Sequence, residues 1–184
     1  MSYEYCDLIM NAGRVLNPIE INEILFDMKR NIFNLVSLLQ YKIIVIDFDG
    51  TMCEFKYTNT GRLLPCKDSM IKYYTGNLYE NVRVLKAMQF VLYECDPINM
   101  YVLTISQDSV KNDKTKMINS KFPMIRSENI IHVKSVEDKM LFLEELYEKY
   151  RKRIIFLEDT ANTLIDAEER FDFVQGYHIS SLIP

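Results

Sequence analysis

The stretch IIVIDFDGT, residues 43–51, decides the fold of this chain. Its first four residues are all β-branched, and such an unbroken apolar run predicts a strand that is buried on both faces. The run ends in Asp47 and Asp49, which occupy alternate positions before Gly50 and Thr51. Two carboxylates at the end of a buried strand are costly unless a cation joins them. We therefore expect a magnesium ion at this point, with Asp47 as a nucleophile.

Length, composition and charge place the chain among ordinary globular proteins. Its 184 residues suffice for one α/β domain, and 48% of them are hydrophobic and 26% charged. The net charge of −4 disfavours binding to duplex nucleic acid, which requires a basic surface. No apolar run approaches the roughly 18 residues of a membrane span, and the acidic start does not resemble a signal peptide. We expect a single cytoplasmic domain that binds neither a membrane nor duplex nucleic acid.

The four cysteines are scattered through the chain, which contains two histidines. This distribution argues against a zinc site and favours reduced thiols. Cys53 is interpreted as a small buried hydrophobe. His132 and His178 fall within strand patterns and are expected to be structural.

Residues 1–42 are predicted to form a helical extension that precedes the core. Asn17 and Pro18 resemble a helix start, and apolar residues then recur at steps of three and four as far as residue 39. Docking of this stripe onto the domain is the preferred interpretation. The alternatives are a lid over the site or a homodimer through the N-terminal helices.

The remaining chain alternates between strand and helix patterns. Residues 52–65 predict a β-hairpin flap, within a minimal cap insert at about 52–77. Strands are predicted at residues 100–105, 129–133, 153–157 and 173–179. Helices are predicted at about 78–92, 109–119 and 135–150, and through Leu164 and Ala167; the second of these is polar and expected to be exposed. The alternation indicates a Rossmann-like α/β fold, a parallel sheet with helices on both faces.

Polar side chains end three of these strands. Asp47 and Asp49 follow the first strand, Thr104 ends the second, and Glu158 and Asp159 end a later one. In open α/β sheets, ligands bind beyond the carboxyl ends of the strands, so these side chains are expected to share one crevice. Carboxylates at this density repel one another without a cation, and oxygen ligands suit Mg²⁺.

The stretch IIVIDFDGT resembles the first motif, DxDGT, of phosphatases in the haloacid dehalogenase-like (HAD) superfamily. YVLTIS resembles the second motif, a lysine before the next strand resembles the third, and IIFLEDT resembles the acidic fourth motif. The resemblance covers about residues 43–180, with the motifs in the family's order. It implies a HAD-like core at 43–184 and Mg²⁺-dependent hydrolysis of phosphoric monoesters.

Carried over by motif, the resemblance implies a role for each residue. Asp47 would attack phosphorus and form an aspartyl-phosphate, and Asp49 would act as general acid and then general base. Thr104 would hydrogen-bond a phosphoryl oxygen, while Gly50 and Thr51 complete the phosphate-binding motif. The metal ligands implied by the resemblance are Asp47, the Asp49 carbonyl and Asp159, assisted by Glu158.

Two of these assignments have an alternative. Ser106 lies two residues after Thr104 and would share its face of the strand. Thr104 is preferred because it ends the apolar run, and Ser106 is retained as a phosphate-binding candidate. For the lysine, Lys139 begins the pattern KMLFLEEL and is preferred over Lys134, which follows the preceding strand directly.

The expected substrate is a small phosphorylated metabolite. The short cap and the paired Tyr73 and Tyr74 suit a nucleotide, as in deoxyribonucleotidase-type members of the family. The alternatives are a phosphotransferase or mutase that uses the same site, and a phosphate- or nucleotide-binding domain without turnover.

Overall fold

The computed structural model describes residues 30, 42–55, 79, 82–93 and 97–182. Apart from residue 30, the predicted helical extension before residue 42 lies outside the described residues. So do residues 56–77 of the predicted cap, which include Tyr73 and Tyr74. Among the described residues, no helix is both long enough and apolar enough to cross a membrane.

The described residues contain seven strands and four α-helices. The strands are β1 (Ile43–Ile46), β2 (Cys53–Phe55), β3 (Val82–Val84), β4 (Met100–Ile105), β5 (Ile130–Val133), β6 (Ile154–Glu158) and β7 (Val174–His178). The helices are α1 (Lys86–Tyr93), α2 (Asp108–Lys121), α3 (Val136–Tyr150) and α4 (Ala161–Arg170).

Five strands form one parallel sheet in the order β5-β4-β1-β6-β7. Every residue of β1 and β6 is buried, because helices cover both faces of the sheet. Strand β1 lies between β4 and β6 and is buried on both faces, and this burial is what its unbroken apolar run predicted. The α/β fold with a parallel sheet is therefore confirmed.

Alternate residues of β1 belong to the cores on opposite faces of the sheet. Ile44 and Ile46 pack with apolar side chains of α1 and α2, whereas Ile43 and Val45 pack with those of α3 and α4. Helix α3 begins as predicted, since the Ser135 hydroxyl accepts the backbone N–H of Asp138 at 3.1 Å. These two cores hold the end of β1 rigidly between helices.

The predicted helix at 78–92 is wrong at residues 82–84. Residues Val82–Val84 form β3, which pairs antiparallel with β2, and the helix begins only at Lys86. Val82 and Val84 are β-branched and alternate, which suits the small ribbon. Strand β2 thus has β3 as its partner within the described residues, while the turn and second arm of the predicted hairpin (59–65) lie outside them.

The prediction that the helix at 109–119 is exposed holds for most of its residues but is wrong for one face. Helix α2 spans Asp108–Lys121 and buries Val110, Lys114, Met117 and Ile118. These four positions are spaced at four, three and one residues, so they form one face of the helix. One member of that buried face is a lysine, which the site below accounts for.

Candidate active site

The carboxyl ends of β1, β4 and β6 are adjacent in the sheet, and a buried polar side chain lies at each of them. Asp47 follows β1, Thr104 lies in β4 and Glu158 ends β6, and all three residues are at most 5% exposed. The backbone N–H of Asp47 donates to the Leu157 carbonyl at 2.9 Å, which extends the pairing of β1 and β6 by one residue. The predicted convergence of these strand ends is therefore present.

Lys139 of α3 joins two of the carboxylates. Its Nζ lies 2.6 Å from Asp47 Oδ1 and 2.7 Å from Glu158 Oε2. Burial lowers the pKa of Lys139, but the charges of Asp47 and Glu158 outweigh burial and raise the pKa above its ordinary value. Lys139 is thus a buried ammonium held in its charged form by its two partners.

The carboxylates around Lys139 outnumber its single positive charge. Asp47, Glu158 and Asp159 each offer an oxygen, and these oxygens lie within 4.8 Å of one another. Burial raises the pKa of Asp47 to about 7, against the lowering effect of Lys139. Burial and the neighbouring Glu158 raise the pKa of Asp159 to about 6. A cluster of oxygen donors with excess negative charge fits a hard divalent cation such as Mg²⁺.

The turn after β1 brings Gly50 against this cluster. Gly50 has a φ of 81°, and a Cβ added to it would lie 2.0 Å from Asp159 Oδ2. Glycine is therefore required both for the left-handed backbone and for the close approach of the Asp159 carboxylate. Thr51 follows, fully buried, and its hydroxyl is the one buried side-chain polar atom without a hydrogen-bond partner in the described chain.

Asp49 belongs to a second group of contacts, built around Lys114 of α2. The fully buried Nζ of Lys114 lies 2.6 Å from Asp49 Oδ2, 2.9 Å from Thr104 Oγ1 and 2.8 Å from the Ile105 carbonyl oxygen. The Tyr79 hydroxyl donates to Asp49 Oδ1 at 3.0 Å. Asp49 is more accessible than Asp47, with 29% of its side chain exposed against 8%.

Ser106 contacts a histidine rather than a lysine. Its hydroxyl lies 2.8 Å from His132 Nδ1, and His132 Nε2 lies 2.7 Å from the hydroxyl of Thr115 in α2. Burial and the nearby charges of lysines 114, 111 and 134 lower the pKa of His132 to about 4, so the ring is neutral near neutral pH. His132 was expected to be structural, and this network gives it a defined place beside the site.

The other histidine supports the acidic strand end. His178 Nε2 donates to the main-chain oxygen of Asp159 at 2.7 Å, and the backbone N–H of Ser180 donates to His178 Nδ1. The N–H of Thr160 donates to Glu158 Oε1 at 3.2 Å, so Glu158 is also held from both sides. These contacts fix the direction in which Glu158 and Asp159 leave β6.

The structure separates the two candidate lysines. Lys139 contacts Asp47, whereas the side chain of Lys134 is 61% exposed and pairs with Asp108. Lys134 therefore does not join the buried cluster, and its assignment to phosphate binding stays a prediction. An exposed lysine can satisfy its charge in water, but only a carboxylate partner allows one to be buried.

Lys114 and Tyr79 are the contacts that sequence reasoning missed. Lys114 occupies an apolar position in the spacing of Val110, Met117 and Ile118, and this spacing was the available signal. Tyr79 offered no comparable pattern.

Protein-family models, curated proteins and solved structures were each compared with this chain, and none of them matches it.

Proposed function

We propose that this protein hydrolyses phosphomonoesters of small metabolites through an aspartyl-phosphate on Asp47, with Mg²⁺ as its cofactor. The observation that carries the proposal is the buried Asp47 at the end of β1, bound by Lys139 at 2.6 Å and grouped with Glu158 and Asp159. A carboxylate nucleophile requires positive charge beside it to receive an anionic phosphoryl group, and this cluster offers one lysine and a cation site.

In the first half of the reaction, Asp47 attacks phosphorus. Because Lys139 binds Oδ1, we assign the attack to Oδ2. A bond forms between this oxygen and phosphorus while the bond from phosphorus to the leaving oxygen breaks. Asp49, as general acid, gives a proton to the leaving oxygen, which departs as the alcohol, and Asp49 is left as a carboxylate. Lys139 offsets part of the charge on the transferring group.

In the second half, water cleaves the aspartyl-phosphate. Asp49, now a carboxylate, takes a proton from the attacking water, and the bond between phosphorus and Asp47 breaks to release inorganic phosphate. The greater exposure of Asp49 relative to Asp47 suits this division of labour, since Asp49 must meet both the leaving group and water. Thr104 would donate a hydrogen bond to a phosphoryl oxygen throughout.

Asp47, Asp159 and the main-chain carbonyl of Asp49 would hold the magnesium ion. When bound, the ion supplies Lewis-acid neutralisation of charge on the phosphoryl oxygens. Glu158, whose two oxygens also accept from Lys139 and from the Thr160 N–H, would assist the ion directly or through water. It would also orient Lys139 and add negative charge to the cation site.

Phosphate release is the direct test. The wild type is incubated with a generic aryl phosphate and with a panel of phosphorylated metabolites that includes nucleotides, in Mg²⁺ and in EDTA. We expect release that needs Mg²⁺ and that falls by at least about 1000-fold in Asp47→Asn, which keeps shape but removes the nucleophile. Asp113→Asn, at a half-exposed position of α2 outside the cluster, is the matched control and should retain activity.

Two outcomes would contradict the proposal. Full activity of Asp47→Asn would exclude Asp47 as the nucleophile. Failure of the wild type to release phosphate from any compound would favour a phosphate-binding domain without turnover. Binding of magnesium alone can be followed separately, since a ligand of the native state raises the thermal midpoint, and Asp159→Asn should lose that rise.

A further inference from the structure

We propose that Lys114 is a positioning residue that directs the Thr104 hydroxyl toward the transferring phosphoryl group and fixes the orientation of Asp49. The inference rests on the proposed function and adds to it a residue that none of the four motifs contains. It follows from a count of hydrogen-bond donors at the end of β4.

Lys114 uses all three of its donors inside the protein. An ammonium group has three N–H bonds and accepts none. Its Nζ has three acceptors within hydrogen-bond distance: Asp49 Oδ2, Thr104 Oγ1 and the Ile105 carbonyl oxygen. In the bond between Lys114 and Thr104 the threonine oxygen is therefore the acceptor. The single O–H of Thr104 is left to donate elsewhere, which is what a phosphoryl oxygen requires.

Ser106 is in the opposite situation. The Thr115 hydroxyl donates to the Lys111 carbonyl at 2.9 Å, so it can only accept from His132 Nε2. The neutral ring then carries its proton on Nε2, and its Nδ1 must accept the proton of the Ser106 hydroxyl. The Ser106 proton is engaged within the protein, which makes Thr104 rather than Ser106 the donor available to phosphate.

The same lysine holds Asp49. Lys114 binds Oδ2 at 2.6 Å and Tyr79 binds Oδ1 at 3.0 Å, so the carboxyl group is fixed at both oxygens. An acid/base group gains catalytic power from such fixed orientation, because less ordering remains to be achieved in the transition state. Lys114 therefore connects the acid/base residue to the phosphate donor in one rigid unit.

A purely structural explanation for Lys114 is weak. Its helical neighbours on the same face are Val110, Met117 and Ile118, and an apolar residue would complete that face without burying a charge. Replacing a buried ion pair by apolar residues is often neutral or stabilising. A lysine with no exposed surface is better explained by the two groups that it orients.

A double-mutant cycle tests the proposal. Activity on an aryl phosphate with Mg²⁺ is measured for Lys114→Met, for Thr104→Val and for the double variant. Thr104→Val should lower kcat by about 100-fold in the wild type, the size expected for one lost donor to a transition-state oxygen. In the Lys114→Met background, Thr104→Val should lower kcat by less than about threefold, because Lys114 no longer directs the Thr104 hydroxyl.

The control is Lys116→Met, which removes the same charge from a side chain of α2 that is 80% exposed, and it should retain activity. Equal losses from Thr104→Val in both backgrounds would overturn the proposal, since independent sites are additive. An inactive wild type would remove the proposed function and this inference together. Activity that requires Asp47, combined with additive losses, would remove this inference alone.

A second comparison decides the question if Lys114→Met does not fold. In the wild-type background, Ser106→Ala is compared with Thr104→Val. The hydrogen-bond directions predict that Ser106→Ala lowers kcat much less than Thr104→Val. A larger loss from Ser106→Ala would overturn the proposal, because Ser106 would then be the directed donor.

Discussion

Two buried lysines, Lys139 and Lys114, approach the end of β1 from opposite faces of the sheet. Lys139 of α3 binds the two carboxylates of Asp47 and Glu158, whereas Lys114 of α2 binds one carboxylate, one hydroxyl and one carbonyl oxygen. With Asp159 included, the side around Lys139 has more negative than positive charge. The side around Lys114 is balanced.

Under the proposed function, this difference would separate two tasks within one site. Excess negative charge at Lys139 suits a cation and the nucleophile, and the balanced group at Lys114 suits proton transfer and phosphate orientation. Asp47 and Asp49 lie only two residues apart, but Asp47 pairs with Lys139 and Asp49 pairs with Lys114. The predictions below test whether the two lysines differ in this way, from the largest expected effect to the smallest.

The largest effect is expected from Lys139→Met. The variant leaves the buried carboxylates of Asp47 and Glu158 without their cation, which should cost about 3–5 kcal/mol in the free energy of unfolding. Its kcat should fall by about 1000-fold. Urea unfolding and phosphate release measure the two effects. Lys134→Met removes an exposed lysine and is the control; equal destabilisation by both variants would contradict the assignment of Lys139.

A smaller loss of stability is expected from Lys114→Met, about 1–3 kcal/mol for hydrogen-bonded partners left unsatisfied. The loss is smaller than for Lys139→Met because Asp49 is partly exposed and water can replace its lysine. Urea unfolding of both variants under identical conditions gives the comparison. A greater loss of stability for Lys114→Met than for Lys139→Met would contradict the proposed distribution of charge.

Gly50→Ala should act on the Lys139 side alone. An alanine at a φ of 81° costs about 1–2 kcal/mol, and its Cβ would displace the Asp159 carboxylate. The magnesium concentration for half-maximal activity should therefore rise. Gly176→Ala is the control, because its Cβ would contact Leu164 Cδ2 at 3.0 Å and not the Asp159 carboxylate. An unchanged magnesium requirement in Gly50→Ala would argue against Asp159 as a ligand.

The smallest effect is a dependence of stability on pH in EDTA. Asp47 has a pKa of about 7 in the folded protein against an ordinary value of 3.8, so the folded state binds more protons between these values. Stability should therefore fall as pH rises through about 7, by about 1 kcal/mol between about pH 6 and about pH 8. Asp47→Asn should flatten the dependence in urea unfolding. Higher wild-type stability at the upper pH would contradict the sign.

Much of the fold could be predicted because buried parallel strands have unbroken apolar runs. Strand β1 and its neighbours β4 and β6 were identified by such runs, and the Ser135 cap located the start of α3. The ribbon strand β3 was missed because Val82, Leu85, Met88 and Leu92 also fit helical spacing. Pairing with β2, which lies far away in sequence, decided between the two patterns.

The two lysines show which contacts of the candidate site could be predicted from the sequence and which could not. Lys139 was preferred because a motif in the sequence contained it, and the structure places it at Asp47. Lys114 belongs to no motif, and a lysine in a polar helix is ordinarily solvated. The spacing of Val110, Met117 and Ile118 placed it on the buried face, but only the tertiary contact with Asp49, 65 residues away, identifies its partner. Hydrogen-bond directions at Thr104 and Ser106 likewise depend on partners that the sequence does not bring together.

Trapping of the covalent intermediate tests the central claim most directly. The wild type is mixed with an aryl phosphate and Mg²⁺, quenched rapidly in acid and digested, and the peptide that contains residues 43–51 is analysed by mass spectrometry. We predict that this peptide gains one phosphoryl group at Asp47, that hydroxylamine removes the group, and that Asp47→Asn does not gain it. Phosphate release without any phosphorylated peptide, or phosphorylation at another residue, would contradict the account.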